Sequence, residues 1–222
     1  MKAMILAAGR GERMRPLTDR MPKSLLCAGG KPLIVWLIER LACAGVRELI
    51  VNHAYKGEMI EATLGHGDAL GVAIRYSPEE VALETAGGIA NALPLLGPQP
   101  FIAVAADVYS DYDFSRLCNL DPGAALAHLV LVPNPDHNTG GDFGLEGSRV
   151  LNEPRRFTFS GIGLYRPALF EGIGRGASAK LAPLLRRAIE ANLVSGELHS
   201  GDWRDIGTPA RLAALERDLS PG

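Results

Sequence analysis

Apolar residues along this chain fall in short runs broken by glycine, proline and charge. Met4 to Ala8 is one such run, closed by Gly9, and it predicts a buried strand. "PLIVWLIERLACAG" is apolar around most of a helical surface, with Pro32 at its start and Gly45 as a stop, and predicts a helix. "RELIVNH" predicts a second strand, "KGEMIEATLG" a helix ended by Gly65, and "VAIRYS" a third strand. "GGIANALPLLG" predicts a helix ending near Pro94, and "PFIAVAAD" a fourth buried strand that delivers Asp107 at its C-terminal end. This alternation predicts an α/β fold with a mostly parallel sheet covered on both faces. Ligands of such sheets lie beyond the carboxyl ends of the strands, which selects Gly9 to Arg15 and Asp107.

The second half is less regular. "ALAHLVLV", "FTFSGIGLY" and "GELHS" predict strands, whereas "KLAPLLRRAIEAN" and "PARLAALERDL" predict amphipathic helices. Thr208 before Pro209 is a good helix start, with a hydroxyl cap and a proline in the first turn. No repeat or low-complexity linker interrupts the pattern.

With 222 residues, 47% of them hydrophobic, the chain can bury a substantial core in a single domain. A net charge of −2 gives no overall basic field for nucleic acid or an anionic membrane, so neither is an expected partner. No apolar run has the length of a membrane span and the start lacks signal-peptide order, so a cytoplasmic location is expected. Cys27, Cys43 and Cys118 are too widely spaced for a disulfide framework or zinc site and read as small buried apolar residues. The five histidines show no metal-ligand spacing and read as packing or surface residues.

Charge becomes informative locally. "LAAGRGERMRPLTDRMPK" carries Arg10, Arg13, Arg15, Arg20 and Lys23 against Glu12 and Asp19, directly after the first strand. Met14 occupies the third glycine position of a GxGxxG fingerprint, which disfavours a nicotinamide enzyme, and "GGK" at Gly29 to Lys31 lacks the spacing of a P-loop. A glycine turn whose N–H groups face phosphates, assisted by nearby cations, and an ordinary charged turn both fit the residues alone.

The same stretch resembles the signature of the sugar-phosphate nucleotidyltransferases, with Gly9, Gly11, Arg13, Pro16, Leu17, Thr18, Pro22 and Lys23 in order. "ETAGGI" at Glu84 to Ile89, the strand ending in Asp107, "NEP" at Asn152 to Pro154 and "WRDIGTP" at Trp203 to Pro209 resemble further landmarks of that family. "NHAYKG", "YSPE", "ALPLLG", "DYDF", "GDF", "TFSGI" and "KLAPLLR" are most similar to its bacterial N-acetylmuramate-1-phosphate uridylyltransferases.

The resemblance implies a Rossmann-like three-layer α/β/α fold of the nucleotide-diphospho-sugar transferase type, with a smaller sugar-binding portion. It implies one catalytic domain, nucleotide-binding over about residues 1–115 and sugar-phosphate-binding over about 116–222. It further implies Mg²⁺-dependent transfer between UTP and a sugar 1-phosphate, with N-acetylmuramate 1-phosphate the best match, in cell-wall recycling. Arg13 and Lys23 carry the catalytic positions, and Ala8, Gly9, Gly11, Glu12, Glu80, Thr85 and Gly88 join them in binding nucleotide. Ala105, Gly141, Asp142, Glu153, Gly161 and Lys180 match the sugar-phosphate side, and Asp107 and Asp205 the metal ligands. Magnesium suits two aspartates completed by substrate phosphates and water. The chemistry needs no Ser, Cys or His nucleophile, because a phosphate monoester is largely dianionic near neutral pH. It needs cations, backbone donors and a metal to bring two polyanions together.

Three residues depart from the family pattern. Ser24 stands where proline usually follows the "PK", and Ala105 and Ala106 precede Asp107 where relatives often carry a polar residue and glycine. Thymidylyl or guanylyl transfer to another hexose 1-phosphate is the neighbouring alternative, and a non-catalytic nucleotide-sugar-binding subunit is the alternative of another class. Little chain follows the Pro209 to Leu219 helix, so a single activity is expected; a monomer fits the sequence, which leaves the oligomeric state open.

Overall fold

A computed structural model of the chain describes residues 1–153 and 156–220. Its first half runs β1 (Lys2–Leu6), β2 (Cys27–Ala28), β3 (Lys31–Pro32), α1 (Leu33–Cys43), β4 (Glu48–His53), α2 (Gly57–Leu64), β5 (Ala73–Pro78), α3 (Glu84–Leu96), β6 (Phe101–Ala105) and β7 (Val108–Ser110). Then come α4 (Ser115–Cys118), β8 (Ala127–Val132), β9 (Phe143–Glu146), β10 (Arg149–Leu151), β11 (Arg156–Tyr165), α5 (Leu181–Glu190), β12 (Val194–Leu198), β13 (Trp203–Asp205) and α6 (Pro209–Leu219). None of the described helices is long and apolar enough to cross a membrane.

Nine strands form one sheet in the order β5-β4-β1-β6-β11-β8-β12-β10-β9. The strands β5, β4, β1 and β6 pair in parallel, as the βα alternation predicts. Beyond β6 the sheet is mixed: β11 runs antiparallel to both β6 and β8, and β9 and β10 form a hairpin that turns at Gly147 with φ 59°. The hairpin strands are four and three residues long, too short to give a periodic signal.

Alternate residues of each strand face opposite layers. Ala3, Ile5, Leu49, Val51, Ile102 and Val104 pack with α1 and α2, while Met4, Ile50, Phe101 and Ala103 pack with α3 and α5. That arrangement is the three-layer α/β/α architecture. A third, small cluster of Met14, Leu26, Ala28, Leu33, Ile206 and Leu215 joins the glycine-rich loop after β1 to α6. Strands β7 and β13 form their own two-stranded ladder, pairing Asp205 with Val108.

Two local readings need correction. Helix α3 starts at Glu84 rather than at the glycine pair, and it passes through Pro94 to Leu96 before Gly97 ends it. Proline is accommodated in this last turn, where few backbone bonds remain to be lost. Cys27 and Cys43 are exposed rather than buried. Cys27 points outward beside inward Ala28, and Cys43 lies off the buried α1 stripe of Leu33, Ile34, Leu37, Ile38 and Leu41.

Candidate active site

A cleft follows the C-terminal ends of β1, β4 and β6, at the point where the chain order reverses across the sheet. It has three lobes of about 360, 370 and 470 Å³, and Leu6 at the end of β1 lines all three.

The first lobe is lined by Gly9, Gly11, Glu12, Arg13, Lys23 and Asp107. Gly11 has φ 65°, a left-handed conformation, and a Cβ there would stand 3.0 Å from Thr18 Cγ2 and 3.1 Å from Lys23 Cβ. The Gly11 carbonyl accepts from Thr18 Oγ1 at 2.8 Å and from the Met14 N–H at 2.9 Å, which fixes the loop from inside. Among the described residues, the N–H groups of Gly9 to Arg13 donate to no protein acceptor, leaving a row of donors beside the lobe. Arg15 instead pairs with Asp19 at 3.3 Å on the surface. Ser24 is buried in this lobe's lining, and its Oγ has no partner among the described residues.

Asp107 and Asp205 meet through the backbone: Val108 pairs with Asp205, and the Ile206 N–H donates to the Asp107 carbonyl at 2.8 Å. Their carboxylates hold different cations. Asp107 accepts from Lys23 Nζ, while Asp205 accepts from Arg211 and lies 2.9 Å from His137 Nε2. Gly207 admits both Arg13 and Arg211, since a Cβ would stand 3.2 and 2.7 Å from their guanidinium nitrogens. No group of three or more His, Cys, Asp or Glu side chains gathers among the described residues. The half-buried carboxylates of Asp107 and Asp205 are nonetheless hard-oxygen donors of the kind that suit magnesium, an ion that takes its remaining ligands from substrate and water.

The second lobe is lined by Ala8, Gly9, Asn52, Ala82, Glu84, Thr85 and Ala105. Asn52 ties its walls together, accepting from the Ala7 N–H at 2.9 Å and donating to buried Glu79 at 2.6 Å. Glu79 also accepts from the Leu83 N–H at 2.8 Å. Gly88 supports this relay from behind, because a Cβ would come within 2.7 Å of both Asn52 Nδ2 and Glu79 Oε1. Glu80 is exposed and does not line the lobe. Glu84 enters α3 at φ 61°, a conformation uncommon outside glycine.

The third lobe includes Thr85, Ala105, Asp142, Gly161, Lys180 and Arg186. Gly161 sits at a bulge in β11 with φ 79° and lies beside the Ala105 methyl, 3.2 Å from where its own Cβ would be. The Asp142 carboxylate accepts from the Phe159 N–H at 2.8 Å. Gly141 shapes the turn behind it, since a Cβ would lie 2.8 Å from the Arg156 backbone. Glu153 is exposed, pairs with Arg156 and stands outside the lining; Pro154 of the same triplet lies outside the described residues. Ala105 faces the second and third lobes, whereas Ala106 borders the first and is buried in the α1-side core.

Sequence reasoning missed several residues of this site. Asn52 lies inside an apolar strand, and Arg186 lies on a helix whose amphipathic pattern speaks only of packing. His137, read as a packing or surface residue, reaches Asp205 from a loop nearly seventy residues away in sequence. A polar residue in the "LIVNH" run was the one usable signal, for Asn52.

The nucleotidyl transferase family model matches residues 2–145. Over 220 residues, the chain is 56% identical to an N-acetylmuramate alpha-1-phosphate uridylyltransferase of Neisseria meningitidis serogroup B, covering 96% of this chain and 95% of the relative. A protein of the same name from Caulobacter vibrioides is 35% identical, covering 97% of this chain and 96% of the relative. In structure the chain is similar to a putative glucose-1-phosphate thymidylyltransferase from Bacillus anthracis, solved with sucrose, at a TM-score of 0.84 and 22% identity, covering 100% of this chain and 97% of the other. With the match spanning more than half its length and relatives aligned end to end, this chain belongs to the nucleotidyl transferase family.

Proposed function

We propose that this protein joins UTP and N-acetylmuramate 1-phosphate to give UDP-N-acetylmuramate and pyrophosphate, with Mg²⁺, as a cytoplasmic step of peptidoglycan recycling. The observation that carries the reading is the cleft itself: a donor-rich lobe lined by Asp107, to which the β7–β13 ladder ties Asp205, connects with two further lobes through the end of β1. The full-length likeness to two uridylyltransferases supports the choice of substrates.

In this reading the free N–H groups of Gly9 to Arg13, with Arg13 itself, hold the triphosphate, and Lys23 neutralises phosphate oxygens next to the reacting centre. Thr85 and the Asn52–Glu79 relay shape the pyrimidine lobe, and Gly88 supports the relay from behind the wall. Asp142, Gly161 and Lys180 orient the sugar 1-phosphate so that its oxygen attacks the α-phosphorus in line with the departing pyrophosphate. Asp107 and Asp205 would hold the Mg²⁺, which when bound neutralises developing charge on the phosphates. Residues up to about 115 serve the nucleotide and later ones chiefly the sugar, with Asp205 returning to the phosphate lobe through the β7–β13 ladder.

Pyrophosphate release with Mg²⁺, measured for UTP, dTTP and GTP against N-acetylmuramate, N-acetylglucosamine, glucose and mannose 1-phosphates, tests this. Fastest release is expected for UTP with N-acetylmuramate 1-phosphate. Faster release from dTTP with glucose 1-phosphate would reject the substrate assignment, and silence in every pairing would reject catalysis.

A further inference from the structure

The sugar lobe contains a cation that the reaction centre does not use. Arg186 lies six residues beyond Lys180, about 9 Å further along the α5 axis. It is half-buried, with its guanidinium carbon 5.3 Å from the centre of the Phe143 ring, so part of its hydration is replaced by an aromatic face. Asn152 holds it in place: the Asn152 amide donates to the Arg186 carbonyl at 3.2 Å, and its oxygen is 3.5 Å from Arg186 Nη1. Among the described residues, no carboxylate forms an ion pair with Arg186. Of the lobe's two acids, Asp142 is already engaged by Phe159 and by Asn138, whose amide is 3.2 Å away, and Glu84 sits at the start of α3 with no ion pair to Arg186 among the described residues.

A fixed guanidinium with free donors, facing a lobe lined by Ala103, Phe143, Tyr165 and Leu185, is built for a planar anion. The phosphate of a sugar 1-phosphate must lie at the other end, toward Lys23 and Asp107. The anion for Arg186 is therefore a second one, carried on the far side of the sugar ring. We infer that Arg186 is the specificity-determining residue that pairs with the lactyl carboxylate of N-acetylmuramate 1-phosphate, selecting it over sugar 1-phosphates with uncharged substituents. The inference rests on the sugar named under the proposed function.

The test compares UTP-dependent turnover of N-acetylmuramate 1-phosphate with that of N-acetylglucosamine 1-phosphate, which differs only in lacking the lactyl ether. The wild-type protein is expected to prefer the former. Arg186→Gln should raise KM for N-acetylmuramate 1-phosphate about tenfold to a hundredfold, the range for a lost charge-assisted bond, and leave both constants for N-acetylglucosamine 1-phosphate within about twofold. Arg186→Lys, which keeps the charge without the fork, should fall between them on the first substrate only, and it carries the test if the glutamine variant does not fold. Equal losses on both sugars, or no change on either, would overturn the assignment of Arg186 while leaving the overall reaction intact. A wild-type protein that uses N-acetylglucosamine 1-phosphate and ignores N-acetylmuramate 1-phosphate would overturn the sugar reading, and this inference with it.

Discussion

Lys23 and Asp107, 84 residues apart in sequence, form an ion pair in the lining of the first lobe. The loop cation and the carboxylate assigned to metal thus keep each other in position before any substrate arrives. Asp107→Asn and Lys23→Ala are each expected to lower kcat for pyrophosphate release by about two to three orders of magnitude, the scale of losing one preorganised electrostatic group. Thermal unfolding of Asp107→Asn should stay close to wild type, which separates lost chemistry from lost folding. Raising Mg²⁺ should recover part of the Asp107→Asn activity and none of the Lys23→Ala activity.

Gly88→Ala puts a methyl within 2.7 Å of Asn52 Nδ2 and Glu79 Oε1. Because this pair also ties down Ala7, the change should reach the start of the phosphate loop. Overpacking of this kind costs about 1–3 kcal/mol. A lower melting temperature and a raised KM for UTP are expected, read by calorimetry and steady-state kinetics.

Thr208 caps α6, accepting from the Arg211 N–H at 3.3 Å. Thr208→Ala should cost about 1 kcal/mol, a fall of about 2–4 °C in melting temperature for a chain of this size. Its kcat at room temperature should be unchanged. Differential scanning calorimetry with an activity assay checks both parts.

Acid sensitivity should come partly from Glu197 on β12. Burial pushes its carboxyl up, but the His128 ring 3.8 Å away, the hydrogen bond donated by Tyr112 and the charge of Arg116 outweigh burial and hold it below the ordinary 4.5. Burial, then the bond to Glu197, pushes the Tyr112 hydroxyl well above its ordinary range, so it remains a donor. A depressed folded value means that Glu197 stabilises the fold above pH 4.5 and loses that contribution as pH falls from there through its folded value. Glu197→Gln should therefore be less stable than wild type near neutrality, with the gap closing below pH 4.5. Urea unfolding at two pH values on either side of 4.5 measures the gap.

The parallel half of the sheet was legible because each of its strands is a near-continuous apolar run between helices, two of them with clear stops at Gly45 and Gly65. Gly9, Gly11, Arg13 and Asp107 were legible for the same reason: strand ends and a glycine loop have a fixed place in such folds. What escaped depends on contacts between distant segments. The β7–β13 ladder has three residue pairs, too few for a pattern, yet it decides where Asp205 stands. Glu79 and Glu80 are neighbours in sequence, and only the tertiary partners Asn52 and Leu83 show that Glu79 is the buried one. A motif places a residue to within a position or so along the chain; hydrogen-bond partners decide which neighbour faces inward.

Met14 beside the phosphate loop and Ile206 beside Asp205 share the smallest of the three cores with Leu215 of α6. Small clusters open at lower free energy than a whole domain does. Gentle warming or dilute urea should therefore undo the grip on phosphate and displace Asp205 together, while the nine-stranded sheet still gives its full circular-dichroism signal. The protein would then lose catalysis before it loses shape, and regain it on cooling without having to refold.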